Sequence, residues 1–238
     1  QNIYLEKQNM SSKIIIKALV LATTRELAIQ IHDNFIEYGK NLNIKTTVVY
    51  GGVNQAKQVK ALHQGVDILV ATPGRLLDLI QQKKLTLSNV SYLVLDEADR
   101  MLDMGFVKDV KRIVSMVRTE RQTMFFSATM PNAIISLSNE MLSNPVRVKV
   151  TPEEEMIDKI KQSVYFVSKK KKIDLLVELL VNKDLKSVLV FSRTKHGANH
   201  IVKLLDQMNV PTAAIHGNKS QSARQKALEA FKSKRIRV

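Results

Sequence analysis

The tetrad Asp96-Glu97-Ala98-Asp99 closes the apolar run Val90-Ser91-Tyr92-Leu93-Val94-Leu95, and Ser127-Ala128-Thr129 follows a second strand-like run. Paired carboxylates where a buried strand ends suit phosphoryl chemistry, because they can face Mg²⁺ and an attacking water at the edge of an α/β sheet. Other polar clusters sit at equivalent places. Thr24-Arg25-Glu26, Gly51-Gly52 and Thr72-Pro73-Gly74-Arg75 each follow an apolar run, as do Ser192-Arg193 and His216-Gly217 later in the chain. N–H groups at helix starts and glycine turns, with arginine guanidinium, match phosphate oxygens. Singly, these glycines also read as ordinary turns, and Asp99 with Asp103 as acids serving a helix N-terminus.

Alternating strand and helix patterns must position these groups. The runs Ile14–Ala22, Ile44–Tyr50, Val66–Ala71, Val90–Leu95 and Thr123–Phe126 predict strands. Several are apolar on consecutive residues, the pattern of a parallel sheet buried on both faces. Leu27, Ile31 and Phe35 recur every four residues, Leu76 and Ile80 mark a shorter helix, and Pro131 opens a helix over Asn132–Met141. Repeated βα winding of this kind is an α/β fold with helices on both sheet faces. The polar, acidic stretch Thr151-Pro152-Glu153-Glu154-Glu155 interrupts the alternation and predicts a linker over 151–158, between domains at 1–150 and 159–238. Beyond it the pattern predicts strands Gln162–Val167, Ser187–Phe191 and Thr212–Ile215, and helices Lys172–Val181, His196–Met208 and Gln221–Phe231. Arg235–Val238 reads as the opening of a further strand. Gln221 and Arg224, three apart, face the same way on their helix.

Composition narrows the partners. The 238 residues are 45% hydrophobic and 25% charged, as in globular proteins. No stretch approaches the roughly 20 apolar residues of a membrane span, and the first residues lack a basic-then-apolar secretory pattern. With no cysteine there are no disulfides or thiolate metal sites, which fits a reducing, cytoplasmic setting. Residues 1–150 carry 19 Lys+Arg against 13 Asp+Glu, and residues 151–238 carry 18 against 9, excesses of 6 and 9. A pI near 9.9 suits a polyanion, whose counterions are released on binding; a solvated basic surface is the other reading. Lys169–Lys172 is the longest basic run. His32, His63, His196 and His200 form no ligand grouping, and His216 reads as a turn residue. No tryptophan and few aromatics argue against a base-stacking platform.

Taken in order, these motifs resemble the DEAD-box RNA helicases of superfamily 2. The resemblance covers nearly the whole chain, and the wording around Phe191-Ser192-Arg193-Thr194 and His216-Gly217-Asn218 is most similar to bacterial RhlE-type members. It implies two RecA-like domains with parallel sheets flanked by helices, and RNA-stimulated ATP hydrolysis coupled to local unwinding of short duplexes and remodelling of RNA–protein complexes. By the same resemblance Asp96 holds Mg²⁺ through water and Glu97 polarises the water that attacks ATP. Asp99 bridges to Ser127 and Thr129, linking the catalytic loop to domain movement. Thr24, Arg25, Glu26, Gly51, Gly52, Thr72, Pro73, Gly74 and Arg75, with Ser192, Arg193, Gly217, Gln221 and Arg224, take the places of the RNA-contacting motifs. Contact with the sugar–phosphate backbone gives binding without sequence preference, and the 2′-OH favours RNA over DNA. Protein partners in ribosome assembly or RNA decay fit the family. Thr23 departs from the pattern, standing where the family usually has Pro.

No G-x-x-x-x-G-K-[ST] phosphate loop occurs: the glycines lie at 39, 51, 52, 65, 74, 105, 197 and 217, and none opens that frame. The resemblance places this loop upstream of Ile14–Ala28 and the arginine motifs after Val238, so both domains are expected to be truncated. Without N–H groups and a lysine around the β- and γ-phosphates, the acids have nothing to act on, so this chain alone is expected to be a poor ATPase. The alternative expectation is a non-catalytic RNA-binding or scaffold fragment. A DNA helicase is disfavoured by the Asp-Glu-Ala-Asp spelling and by Thr72–Arg75.

Overall fold

A computed structural model describes residues 15–150 and 160–238, which divide into two compact units between Val146 and Arg147. The linker expected over 151–158 lies outside the described residues, as does the first residue of the predicted strand Ile14–Ala22.

The first unit winds β1 (Ala18–Leu21), α1 (Arg25–Gly39), β2 (Thr46–Val49), α2 (Ala56–His63), β3 (Ile68–Ala71), α3 (Pro73–Gln81), β4 (Tyr92–Leu95), α4 (Ala98–Asp103), α5 (Val107–Val114), β5 (Gln122–Phe125) and α6 (Asn132–Met141). The five strands form one parallel sheet in the order β2-β3-β1-β4-β5. Each predicted strand of this half is present. Strands β1 to β4 are shorter than their apolar runs, mainly because the ladder begins two or more residues into each run, and β5 begins one residue earlier than predicted. Leu21, Ala71 and Leu95 pair at one level, with Val49 and Phe125 beside them, so all five carboxyl ends lie along one edge.

Alternation along the strands sends side chains to two cores. Leu19, Leu21, Leu69, Leu93 and Leu95 pack with Leu62, Leu76, Leu79, Val110, Ile113 and Ile134 from the helices α2, α3, α5 and α6. Val20 and Val70 point the other way, against Ala28, Leu27, Ile31 and Phe35 of α1. The central strands β1 and β3 are buried at every residue, whereas β5, at the sheet's edge, is buried at none. Burying a leucine fully, as at Leu19, stabilises the fold by about 1.5–3 kcal/mol.

In the second unit a 3₁₀ turn (Lys169–Lys171) leads into α7 (Lys172–Val181), followed by α8 (Lys195–Gln207) and α9 (Gln221–Lys232). These three helices match the predicted ones to within one residue. The strands predicted at Gln162–Val167, Ser187–Phe191 and Thr212–Ile215 are a correction: no residue described there is in a β-strand. Single backbone bonds take their place. Val188 N–H donates to the Arg237 carbonyl at 2.9 Å, Arg237 N–H to Pro211 at 2.9 Å and Ala213 N–H to Val238 at 3.1 Å. The end of the chain thus lies between two extended segments, with too few rungs to make a ladder. Leu180, Leu205 and Val238 form the small core beneath, while Phe191 is 93% exposed. Among the described residues, no helix is long and apolar enough to cross a membrane.

Candidate active site

The sheet edge assembles the site. Strand β1 is flanked by β3 on one side and β4 on the other, so the direction of winding reverses beside it, and ligands of open α/β sheets bind at such a point. The chain leaves β4 through Asp96 and Glu97, and α4 opens directly after them. Glu97 caps that helix in the left-handed region (φ 53°, ψ 50°), a conformation that costs a non-glycine residue of order 1–3 kcal/mol. Its N–H donates to Asp96 Oδ1 at 3.0 Å. Burial pushes the Asp96 carboxyl up, the neighbouring Glu97 charge adds to this, and the Glu97 N–H pulls the other way. A cation would relieve that strain between two acids. The Glu97 carboxylate is held on both sides: the Thr23 hydroxyl donates to Oε2 at 2.5 Å, and Arg100 Nη1 lies 3.4 Å from Oε1.

Asp99, by contrast, is fully engaged inside the protein. Its Oδ2 accepts from the Thr129 N–H at 2.9 Å and from the Thr129 hydroxyl at 2.7 Å, and its Oδ1 accepts from the Arg100 N–H at 3.1 Å. The Ser127 hydroxyl completes the cluster. It accepts from the Asp99 N–H at 3.2 Å and donates to the Thr129 carbonyl at 2.7 Å. Burial alone would raise the Asp99 carboxyl; the hydrogen bonds from Thr129, Arg100 and Ser127 together outweigh it and hold the group below the usual carboxylate range. Asp99 is therefore an anchor that ties the start of α4 to the segment after β5. Three of its roughly four acceptor sites are taken by these bonds. The expected bridge from Asp99 to Ser127 and Thr129 is present, bond by bond.

Across the same edge, Thr24 caps α1 by accepting from the Leu27 N–H at 3.2 Å, and Arg25 and Glu26 occupy its first turn. The guanidinium of Arg25 lies against the turn after β2: a Cβ built on Gly52 would overlap Arg25 Nη1 and stand 2.6 Å from its Cζ. Gly52 has φ +79°, and only glycine meets both demands easily. The loop is braced from below by Arg75 and by Gln58, a residue that sequence reasoning missed. The Gln58 amide donates to the Tyr50 carbonyl at 3.0 Å, Arg75 Nη1 donates to Gln58 Oε1 at 3.2 Å, and Arg75 Nη2 donates to the Val53 carbonyl at 3.1 Å. Arg75 thus shapes the Gly51–Val53 turn. Thr72 and Pro73 are buried, and the exposed part of that motif is Gly74, with nothing near a Cβ built on it. A buried glutamine 17 residues from its arginine leaves no periodic signal to find.

The second unit places its candidate residues on two helix starts. Thr194 caps α8, accepting from the Gly197 N–H at 3.0 Å, and the Ser192 hydroxyl donates to the Thr194 carbonyl at 3.3 Å; Ser192 and Arg193 are exposed. Gln221 is buried at the start of α9, where its Oε1 accepts from Arg224 Nη1 at 3.4 Å, so the two do share a face. Gly217 is exposed. His216 Nε2 pairs with Asn199 Oδ1 at 3.0 Å. Burial first, then Lys219, Lys195 and His196, lowers its proton affinity, in keeping with a turn residue. Among the described residues no group of three or more His, Asp or Glu side chains could hold a metal by itself.

Comparison with known proteins identifies the family. Residues 171–238 match the helicase conserved C-terminal domain. The chain is 45% identical over 217 residues to "DEAD-box ATP-dependent RNA helicase 20" of Oryza sativa subsp. japonica, covering 90% of this chain and 44% of that protein. It is 42% identical over 219 residues to "ATP-dependent RNA helicase DBP2" of Candida glabrata, covering 90% of this chain and 40% of that one. Among solved structures it is similar to a DEAD box protein from the hyperthermophile Methanococcus jannaschii, with TM-score 0.56 and 38% identity over 95% of this chain and 61% of the other. The chain spans less than half the length of these plant and yeast relatives, which leave the bacterial RhlE-type likeness an expectation. With residues 3–137 matching the DEAD/DEAH box helicase family over more than half its length, the chain belongs to that family.

Proposed function

We propose that these residues form the central part of an ATP-dependent RNA helicase. The observation that carries the reading is the division of labour within one tetrad. Asp96 and Glu97 stand half-buried just past the end of β4, while Asp99 is locked to Ser127 and Thr129. Two roles therefore share one turn: a pair of acids able to serve a nucleotide, and a third that couples their loop to the neighbouring strand end.

The acid pair fits Mg²⁺. This ion keeps several waters and binds through one or two carboxylates plus substrate phosphates, so it needs no all-protein cage. Asp96 would hold it, with Glu97 beside it, and the ion would neutralise charge on the phosphates of ATP. Glu97 then orients the attacking water, its carboxylate steadied by Thr23 and Arg100. No phosphate loop occurs in the 238 residues, so β- and γ-phosphate binding falls to groups other than these.

RNA is held along the same sheet edge by its backbone. The N-terminus of α1, the guanidinium of Arg25, the Gly51–Gly52 turn and the exposed backbone of Gly74 supply donors suited to phosphate oxygens. Ser192, Arg193 and Gly217 offer the corresponding exposed positions in the second unit. An excess of 15 positive charges supports a polyanionic partner. Bound ATP and RNA bias the protein toward an arrangement that strains a short duplex, and hydrolysis allows release. The lack of cysteine supports a reducing, cytoplasmic setting.

The test is strand displacement of a short RNA duplex by the intact protein. Displacement that needs ATP, and is lost in Glu97→Gln while RNA is still bound, supports the reading. ATP-independent displacement, or displacement indifferent to Glu97, refutes it.

A further inference from the structure

We infer that Thr23 is a positioning residue for Glu97, a role resting on the helicase reading above. The sheet register dictates the meeting. Leu21 of β1 pairs with Leu95 of β4, so Thr23 and Glu97, each two residues further on, emerge side by side from neighbouring parallel strands. The Thr23 side chain is buried, with 2% of the residue exposed, and its hydroxyl donates to Glu97 Oε2 at 2.5 Å.

Three constraints then act on one carboxylate. The left-handed backbone of Glu97 fixes the direction in which its side chain leaves the turn. Arg100 touches Oε1 from the first turn of α4, but its guanidinium is more than half exposed and the contact is long at 3.4 Å. Thr23 supplies the buried, short restraint. It occupies one lone pair of Oε2, while Oε1 meets only the longer contact to Arg100. A proline ring, the residue that the matching motif usually carries here, has no donor and could not make this bond. A carboxylate held at a fixed angle spends less of its reaction barrier on orientation, and misplacement by about 1 Å can cost on the order of a hundredfold in rate.

Two variants separate the hydroxyl from the volume of the side chain. Thr23→Val keeps the shape and removes the donor; Thr23→Ser keeps the donor. In this chain, the ¹³C carboxyl resonance of Glu97 is expected to move in Thr23→Val and to stay near its original position in Thr23→Ser. In the intact protein, with whatever flanks these residues, RNA-stimulated turnover in Thr23→Val is expected to show kcat lowered about tenfold. KM for ATP and affinity for RNA should stay within about twofold, and Thr23→Ser should recover most of the rate. A role confined to packing would lower thermal stability and leave kcat per folded molecule unchanged. That result, or an unmoved Glu97 resonance, overturns the proposal. An unsubstituted protein with no RNA-stimulated turnover overturns the helicase reading first, and the positioning role with it, whatever the resonance shows.

Discussion

Replacing Gly52 by alanine should weaken RNA binding by displacing Arg25, which is distant in sequence. The new Cβ would overlap Arg25 Nη1 and stand 2.6 Å from Cζ and 3.0 Å from Nη2. Non-bonded carbon contacts settle near 3.5–4.0 Å, so the guanidinium must retreat by about 1 Å or more. Alanine at φ +79° adds a backbone cost of roughly 1–2 kcal/mol, small enough for the unit to remain folded. If Arg25 donates to an RNA phosphate, a hydrogen bond to a charged group worth about 1.5–3 kcal/mol is lost. Dissociation constants should then rise about ten- to a hundredfold. The assay is fluorescence anisotropy with labelled single-stranded RNA, repeated over a range of salt concentrations. One phosphate contact fewer should reduce the slope of log affinity against log salt by about 0.7. Arg25→Met should reproduce both changes, and the double variant should be no weaker than either single one, because both remove the same contact. Unchanged affinity in Gly52→Ala, or losses that add in the double variant, would refute the reasoning.

Two further outcomes follow from the packing and the charges. Leu19→Ala, at a site with 0% exposure in the centre of the sheet, should cost about 2–5 kcal/mol, read as a lower urea midpoint at unchanged m-value. Asp99→Asn should destabilise the first unit at neutral pH by about 1.5–3 kcal/mol, since a charged acceptor of three bonds becomes a neutral one. Because the folded protein holds the Asp99 proton affinity below its unfolded value, its contribution is complete above the unfolded carboxylate pKa of about 3.9. It is lost as pH falls through the folded value. The gap in urea midpoint between the unsubstituted protein and the Asp99→Asn variant should therefore close on acidification; a gap that widens would contradict the assignment.

Much of this architecture is legible in the chain itself, for physical reasons that differ by element. Strands β1 and β3 stand out because burial on both faces forces consecutive apolar residues, as in Leu19-Val20-Leu21 and Leu69-Val70-Ala71. The helix α1 is visible from the spacing of Leu27, Ile31 and Phe35, which face one core. The short helices α2, α4 and α5 leave no clear signal, since six to eight residues give too little periodicity. The apolar runs of the second unit mislead for the opposite reason. Val188–Phe191 has the composition of a strand, yet composition says nothing of a partner, and among the described residues one backbone bond, from Val188 to Arg237, joins it to the end of the chain.

The site divides in the same way. Asp96, Glu97, Asp99, Ser127 and Thr129 are recognisable by type and placement, and register brings them together. The Thr23–Glu97 bond and the brace of Gln58 on Arg75 are invisible in the sequence, because each joins residues far apart along it. Arg75 has a second task that residue type does not reveal: its guanidinium donates to the Val53 carbonyl and so holds a loop.

The most direct test of the account is RNA-stimulated phosphate release from ATP, measured on this 238-residue chain and on a version joined to the phosphate-loop segment and arginine motifs of a relative. The account predicts turnover that rises with RNA in the extended version, falls to background in Glu97→Gln without loss of RNA binding, and is at background in the short chain. Robust RNA-stimulated turnover by the short chain, or turnover in the extended version that survives Glu97→Gln, would contradict it.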